Sequence, residues 1–212
     1  MNVFAALERV LGEAVRDEAE VLAARDAWNA GAGAVHDDEV LYEERAAAFL
    51  DWFALDRRGP LGLTPVEQII ARTPLGAPEH PALSALASTH RSLFHVEERV
   101  AAGPQAGLLL EDLFGGGRFC ARERRTLVGV ERGDLLDARL IADIESPPDL
   151  VLGRIVCVHP REAAPAVRRL ADCARQGAET REALLFRLLR LRLRCERYRH
   201  VGAARVYEAG DA

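Results

Sequence analysis

Residues 133–145 read GDLLDARLIADIE, and this stretch decides how the chain folds. Leu136 and Leu140 alternate with Asp137 and Arg139, a period of two that is typical of a β-strand. Because one set is apolar and the other charged, the pattern predicts a strand with one face in a core and the other in water. The stretch therefore predicts a half-buried antiparallel sheet.

Similar short runs lie on both sides of this strand. Breaks rich in glycine or proline separate them, such as GGG at Gly115, where we expect a hairpin turn. Five or six antiparallel strands of this length close most economically as a small β-barrel. The runs are SLFHVEERV from Ser92, GLLLEDLF from Gly107, RFCARER from Arg118, TLVGV from Thr126 and LVLGRIVCV from Leu150.

Helical periodicity occupies the chain before these strands. One long helix of about seven turns is predicted from Phe4 until GAGAV at Gly31, and a second over 37–55, with Asp37 and its acidic neighbours at the positive N-terminus. A third begins with TPVE at Thr64, which has the pattern of a capping box with proline in the first turn. A short fourth covers roughly 79–89.

Helical periodicity returns after Pro160 and ends in REALLFRLLRLRLRCERYR, from Arg181. The alternating LRLRLR within it is also compatible with a strand, but the helical match is longer. We predict one helix with a continuous apolar stripe edged by arginines. The stripe consists of Leu184, Leu188, Leu191, Cys195 and Tyr198.

Charge follows the same division of the chain. The net charge is −5, yet residues 151–212 carry 13 basic and 7 acidic side chains, whereas residues 1–100 carry 9 and 17. The two ends are therefore expected to attract each other or a charged partner. The predicted class is α+β, with an acidic N-terminal helical unit (1–90), a central small antiparallel β-barrel-like domain (91–160) and basic C-terminal helices (161–212).

Apolar runs are far shorter than the roughly 18–20 residues that cross a bilayer, and the N-terminus acquires charge too early for a signal peptide. The chain is therefore predicted to be cytoplasmic, with no membrane contact. Its cysteines are distant from one another and form no CxxC pair, so we expect buried free thiols and no zinc or other cofactor. They are Cys120, Cys157, Cys173 and Cys195.

Candidate acid–base groups are two pairs of neighbouring carboxylates. Asp51 and Asp56 flank Trp52, and we interpret them as surface residues or as partners of the adjacent arginines, Arg57 and Arg58. Glu111 and Asp112 lie in the predicted hairpin. Such pairs do acid–base work only when burial separates their pKa values. With no G-x-S-x-G elbow and no phosphate loop, no catalytic residue is assigned.

Histidine-containing groups are weak metal candidates. His36, Asp37, Asp38 and Glu39 are adjacent, so on a helix they would point around its axis instead of converging. His90 and His95 are an odd number of residues apart, which places them on opposite faces of a strand. No metal site is predicted.

Four of these segments, in this order, resemble a group of bacterial proteins. Its members have an FxDWFxFD helical segment and then a small β-rich domain with a DLxTGExxxVxE hairpin and a GDLLxAR strand. The resemblance implies this architecture, and the group has no assigned reaction. The zinc-binding SEC-C tail of some members is absent, so its metal and its SecB-like or nucleic-acid contacts are not implied. The matching segments are FLDWFALD at Phe49, SLFHVEERV at Ser92, GLLLEDLFGGGRFCARER at Gly107 and RGDLLDARL at Arg132.

These observations favour two hypotheses about the function of the protein. The leading hypothesis is a non-catalytic interaction, adaptor or regulatory protein, whose apolar helical faces bind a protein partner or a second copy of the chain. The alternative is a nucleic-acid-binding protein that uses the β-barrel and the arginine-rich helix. In either case the predicted contact residues are Arg187, Arg190, Arg194 and Arg197.

Overall fold

The computed structural model describes residues 1–100, 106–123, 129–147 and 149–210. Five helices precede five strands, and three helices follow them, which confirms the mixed helical and β composition. The helices are α1 (Val3–Ala14), α2 (Glu18–Ala32), α3 (Tyr42–Leu55), α4 (Pro65–Arg72), α5 (His80–Ala87), α6 (Ala164–Arg175), α7 (Arg181–Arg197) and α8 (Ala203–Ala209). The strands are β1 (His90–Val100), β2 (Gly107–Asp112), β3 (Arg118–Arg122), β4 (Leu135–Ala142) and β5 (Leu150–His159).

The strands pair in the order β1–β2–β3–β5–β4, and β4 returns to β1, so the sheet closes on itself. Four of the five pairings are antiparallel. The prediction of an entirely antiparallel sheet is wrong at one junction, because β3 and β5 run parallel where Ala121 faces Leu150 and Arg122 faces Val151. The predicted run TLVGV falls mostly on residues 124–128, outside the described residues.

The N-terminal helices differ from the prediction at two places. The single long helix is wrong, because the chain breaks after α1 and Asp17 caps α2 by accepting from the Glu20 amide at 3.1 Å. The second predicted helix begins later, at Tyr42, so Asp37 and Asp38 lie in the preceding turns. The capping box at Thr64 is confirmed.

Apolar side chains form four clusters around the closed sheet. One fills its interior, with Phe94, Val96 and Leu136 completely buried. A second joins α1 and α3–α5 to the outside of β4, and a third packs α6–α8 on Leu93 and Leu135. The fourth is an aromatic cluster between α2, α3 and α7. The helices therefore cover the outer face of the sheet on several sides.

This covering overturns the prediction that β4 has a face in water. Every residue of β4 except its last is buried, including Asp137 and Arg139 on the outer face. Arg139 donates to Asp56 at 3.0 Å and to the Thr89 hydroxyl at 2.6 Å. Because each buried charge has an oppositely charged partner, the helices can lie over a face that looks solvent-exposed from its composition.

A buried histidine joins the last strand to the last helix. His159 Nδ1 lies 2.9 Å from the Tyr207 hydroxyl, and both side chains are at most 2% exposed. His159 Nε2 is buried without a hydrogen-bond partner in the described part of the chain. Burial lowers the pKa of His159 to about 4 from its ordinary value of 6.5. The imidazole is therefore neutral in the folded protein at neutral pH.

This lowered pKa predicts acid sensitivity. The unfolded chain binds a proton at His159 near pH 6.5 and the folded chain does not, so stability is lost as the pH falls from 6.5 towards 4. When the pH falls from 7 to 5, protonation of this histidine in the unfolded chain lowers the free energy of unfolding by about 2 kcal/mol. Urea unfolding at the two pH values measures this loss. The free energy of unfolding of His159→Gln should fall by about 2 kcal/mol less than that of the wild-type chain. An identical pH dependence of the two proteins would contradict the prediction.

Candidate interaction surface and adjoining cavity

The arginine-rich stretch is a helix, α7, and its apolar stripe packs against α6, α8 and the sheet. Thr180 caps its N-terminus by accepting from the Ala183 amide at 3.1 Å. Leu184, Leu188 and Leu191 are buried as predicted. The stripe then weakens, because Cys195 is half-buried and the Tyr198 side chain is 42% exposed at the end of the helix.

The four predicted arginines do not act together. Arg187 donates to the Glu179 carboxylate at 3.2 Å and to the Gly210 carbonyl at 3.1 Å, so it ties the ends of the C-terminal segment together. Arg190, Arg194 and Arg197 are exposed and follow Arg187 along the same side of the helix, towards its C-terminus. Of the four predicted arginines, three line one cleft and Arg187 lies outside it.

Two of these three guanidinium groups are free. Arg190 and Arg194 have neither an ion pair nor a hydrogen bond with any residue that the structure describes. Arg197 lies 3.9 Å from Asp38, and its guanidinium is 5.9 Å from the centre of the Tyr198 ring. Exposed pairs at such distances contribute little to stability, so the side chains stay available to a partner.

The cleft has a volume of about 340 Å³ and separates the carboxyl-terminal half of α7 from the α2–α3 connection. Its rim carries exposed apolar side chains, among them Val40 at 59% and Tyr198. Val35 and Tyr42 on the same connection are exposed as well. We call this region the α7 cleft, lined by Ala32, Gly33, Ala34, His36, Asp38, Glu39, Val40, Leu41, Arg45, Arg190, Leu193, Arg194, Glu196, Arg197 and Tyr198.

One buried guanidinium shapes the α2–α3 connection. Arg45 of α3 donates to the Glu39 carboxylate at 3.0 Å, to the Asn29 side chain at 3.1 Å and to the Ala34 carbonyl at 3.3 Å. It also donates to the carbonyl of Gly33, whose φ of +91° ends α2. Because one rigid guanidinium group binds four acceptors, it fixes the conformation of the α2–α3 connection. Sequence reasoning missed Arg45, although a lone arginine before an apolar AAAF run was a signal.

A second space lies between the outer face of the sheet, α3 and α7. This cavity of about 370 Å³ shares Leu41, Arg45 and Leu193 with the α7 cleft. Its floor holds the Arg91–Asp137 ion pair, in which Nε and Nη2 of Arg91 contact the two carboxylate oxygens at 3.0 and 2.6 Å. Burial disfavours the charge of Arg91, but the Asp137 carboxylate outweighs it and the pKa of Arg91 is raised.

Cys157 lacks the properties of a nucleophile. Cys157 faces Asp137 across β4 and β5, and burial, reinforced by that carboxylate, raises the pKa of the thiol to about 12. A thiol with this pKa is protonated at neutral pH and unreactive. All four cysteines are free, but the expected burial is wrong for Cys120 and Cys173, which are exposed.

The candidate carboxylates are engaged in ion pairs and hydrogen bonds. Asp51 is buried and accepts from Arg154 at 2.6 Å, and Asp56 pairs with Arg139. Both therefore differ from the predicted surface residues, because their partners come from the sheet and not from the adjacent arginines. Those arginines pair elsewhere, Arg57 with Glu20 and Arg58 with Glu67.

Asp112 organises the predicted GGG turn. Its buried carboxylate accepts from the Ser92 hydroxyl at 2.6 Å, the Phe114 amide at 2.8 Å and His90 Nε2 at 2.8 Å. Burial alone would raise the pKa of Asp112, but the hydrogen bonds from His90 and Ser92 lower it far below its ordinary value. The hairpin turn is confirmed, with Gly116 at a φ of +72°. Ser92 and His90 both bind Asp112, which holds the turn on the sheet.

His95 pairs with Glu111 at 3.3 Å on the other face of β1 from His90, as the strand period predicts. Within the ranges that the structure describes, no three histidine, cysteine, aspartate or glutamate side chains are grouped to hold a metal ion. In the same ranges, no helix is both long enough and apolar enough to span a membrane.

Comparisons with family models, curated proteins and solved structures find no match to this chain. The function must therefore be argued from the geometry of the α7 cleft and the cavity beside it.

The Arg91–Asp137 pair predicts a large stability effect. Removing one charge of a buried pair leaves the other uncompensated, so Asp137→Asn should lower the free energy of unfolding by about 3 kcal/mol. The exposed Asp26→Asn is the control and should change it by less than about 0.5 kcal/mol. Urea denaturation of the two variants measures both values. An Asp137→Asn protein as stable as the control would show that the pair does not support the fold.

Proposed function

We propose that this protein is a non-catalytic interaction module that binds an acidic segment of a protein partner in the α7 cleft. The observation that carries the proposal is the pair of exposed, unpartnered guanidinium groups of Arg190 and Arg194, one helical turn apart, beside exposed apolar side chains. Charged groups at a rim and apolar groups beside them are the composition of a protein-binding surface. An acidic segment with an apolar residue complements both features.

The chemistry of the cleft favours carboxylates presented by a compact segment. Arg190 and Arg194 are four residues apart on one helix, so their side chains neighbour each other and can bind two nearby carboxylates. Val40 and Tyr198 offer an adjacent apolar contact for a leucine or an aromatic side chain of the same segment. Rim charges of this kind set the specificity and the association rate of a complex.

Nucleic acid fits the same surface less well. Asp37, Asp38, Glu43 and Glu44 are exposed on and beside the α2–α3 connection, so a long phosphate backbone that runs past them would meet their repulsion, whereas a compact peptide can confine its carboxylates to Arg190 and Arg194. Nor do the aromatics of the closed sheet provide a stacking platform, because Phe94 is buried in its interior and packs edge-to-face against Phe119. A protein partner is therefore the better-supported occupant, and nucleic acid is an outcome of the test.

The test is selection of peptides from a random library of dodecamers displayed on phage. We expect enrichment of peptides with at least two acidic residues and one large apolar residue. The double charge reversal Arg190→Glu with Arg194→Glu should weaken the selected peptides about tenfold or more, because two favourable contacts become repulsive. The matched control is Arg132→Glu with Arg205→Glu, which changes the net charge equally at exposed positions outside the cleft and should bind as the wild-type chain does.

Two further measurements distinguish the alternatives. The proposal is wrong if no acidic peptide is enriched and single-stranded oligonucleotides bind in a way that the double charge reversal at Arg190 and Arg194 weakens. The protein would then bind nucleic acid. If sedimentation at rising concentration shows a dimer that the charge reversal dissociates, the acidic partner is the second copy of the chain. Equal peptide binding by both double variants would place the contact outside the α7 cleft.

A further inference from the structure

The cavity between the sheet and the helices has the dimensions of a ligand site and is independent of the proposed partner surface. Its volume of about 370 Å³ lies within the range of small-molecule pockets. Most of its walls are aliphatic, as such pockets require. These aliphatic residues are Leu41 and Ala48 of the α3 region, Ile155 of β5, and Leu189 and Leu193 of α7.

Four guanidinium groups line this space, and two of them, Arg91 and Arg192, are held by other contacts that leave one terminal nitrogen of each without an acceptor among the described residues. Arg91 binds Asp137 through Nε and Nη2, and its Nη1 has no acceptor among the described residues. Arg192 donates from Nε to the Val158 carbonyl at 2.9 Å and from Nη1 to Glu196, which leaves Nη2 without an acceptor in the same part of the chain. The cavity therefore has fixed N–H donors that lack protein acceptors.

Two of the three carboxylates that line the cavity are engaged, and the third, Glu44, has no ion pair among the described residues. Arg91 occupies both oxygens of Asp137, and Arg154 contacts Asp51 at 2.6 Å. A carboxylate bound in this half-buried site would give these N–H groups charge-assisted hydrogen bonds. A doubly charged phosphate fits less well, because Asp51 and Asp137 line the same cavity. The N–H donors thus favour a ligand with one negative charge, and the apolar walls favour a ligand with an apolar body.

We infer that this cavity binds a small organic monocarboxylate with an aliphatic body, whose carboxylate is held by Arg91 and Arg192. The aliphatic part would lie against Ile155 of β5, Leu41 at the start of α3 and the leucines of α7. Such a ligand would stabilise the packing of α7 on the sheet, because it contacts both elements and binds only the folded chain.

The experiment titrates the 15N-labelled full chain with octanoate, octanol and acetate, and follows the amide chemical shifts of β5 and α7. Octanol keeps the apolar body without the charge, and acetate keeps the charge without the body. We expect saturable octanoate binding at least tenfold tighter than octanol binding, and no saturation by acetate. Shifts confined to residues outside the cavity would overturn the assignment.

Variants separate the two contributions. Arg192→Met should weaken octanoate about tenfold and leave octanol unchanged, whereas Arg194→Met, exposed on the same helix outside the cavity, should change neither. Ala48→Leu fills the space without touching a charge and should abolish binding of both ligands. Thermal unfolding of each variant verifies that it is folded.

Equal binding of octanoate by the Arg192→Met and Arg194→Met proteins would show that no carboxylate is recognised here. Octanoate binding that survives Ala48→Leu, or no binding of octanoate to the wild-type chain, would exclude the cavity as the site. Neither result bears on peptide binding in the α7 cleft, since the two double charge-reversal variants leave Arg91, Arg192 and Ala48 unchanged.

Discussion

The structure depends on the neutralisation of charges on the outer face of β4. Asp137 and Arg139 alternate with core residues and would ordinarily face water, yet helices cover them. Arg91 from the neighbouring strand and Asp56 from the end of α3 supply the opposite charges. Because an unpaired charge at this depth costs several kcal/mol, the partners must be in place before the helices can pack on the sheet. The position of α3 over the sheet follows from this requirement.

Arginine performs two distinct tasks in this protein. Arg45, Arg91, Arg139 and Arg187 each bind two or more acceptors and join segments that are distant in the chain or in the fold. The planar fork of the guanidinium group suits this use, since one side chain satisfies several acceptors in fixed directions. Arg190 and Arg194 of α7 have no hydrogen-bond acceptor or ion-pair partner among the described residues. They are therefore the candidates for contact with a partner.

The α7 cleft and the cavity adjoin each other and share three lining residues, Leu41, Arg45 and Leu193. Both are bounded by α7, which carries free arginines on the cleft side and Arg192 on the cavity side. Their separation follows from helical geometry, because consecutive residues of a helix point around its axis. One helix therefore lines two concave spaces of different chemistry, and a separate function is proposed for each.

Local pattern by itself determined the mixed class, the capping box at Thr64, the GGG turn and the buried leucines of α7, because each depends on residues a few positions apart. Tertiary structure decided the burial of Asp137, the parallel contact of β3 with β5 and the position of Arg187 outside the α7 cleft. These depend on residues far apart in the chain, and charge composition does not reveal which opposite charge will lie within hydrogen-bonding distance. The sequence thus specified which arginines could bind a partner, and only the fold decided which of them remain free to do so.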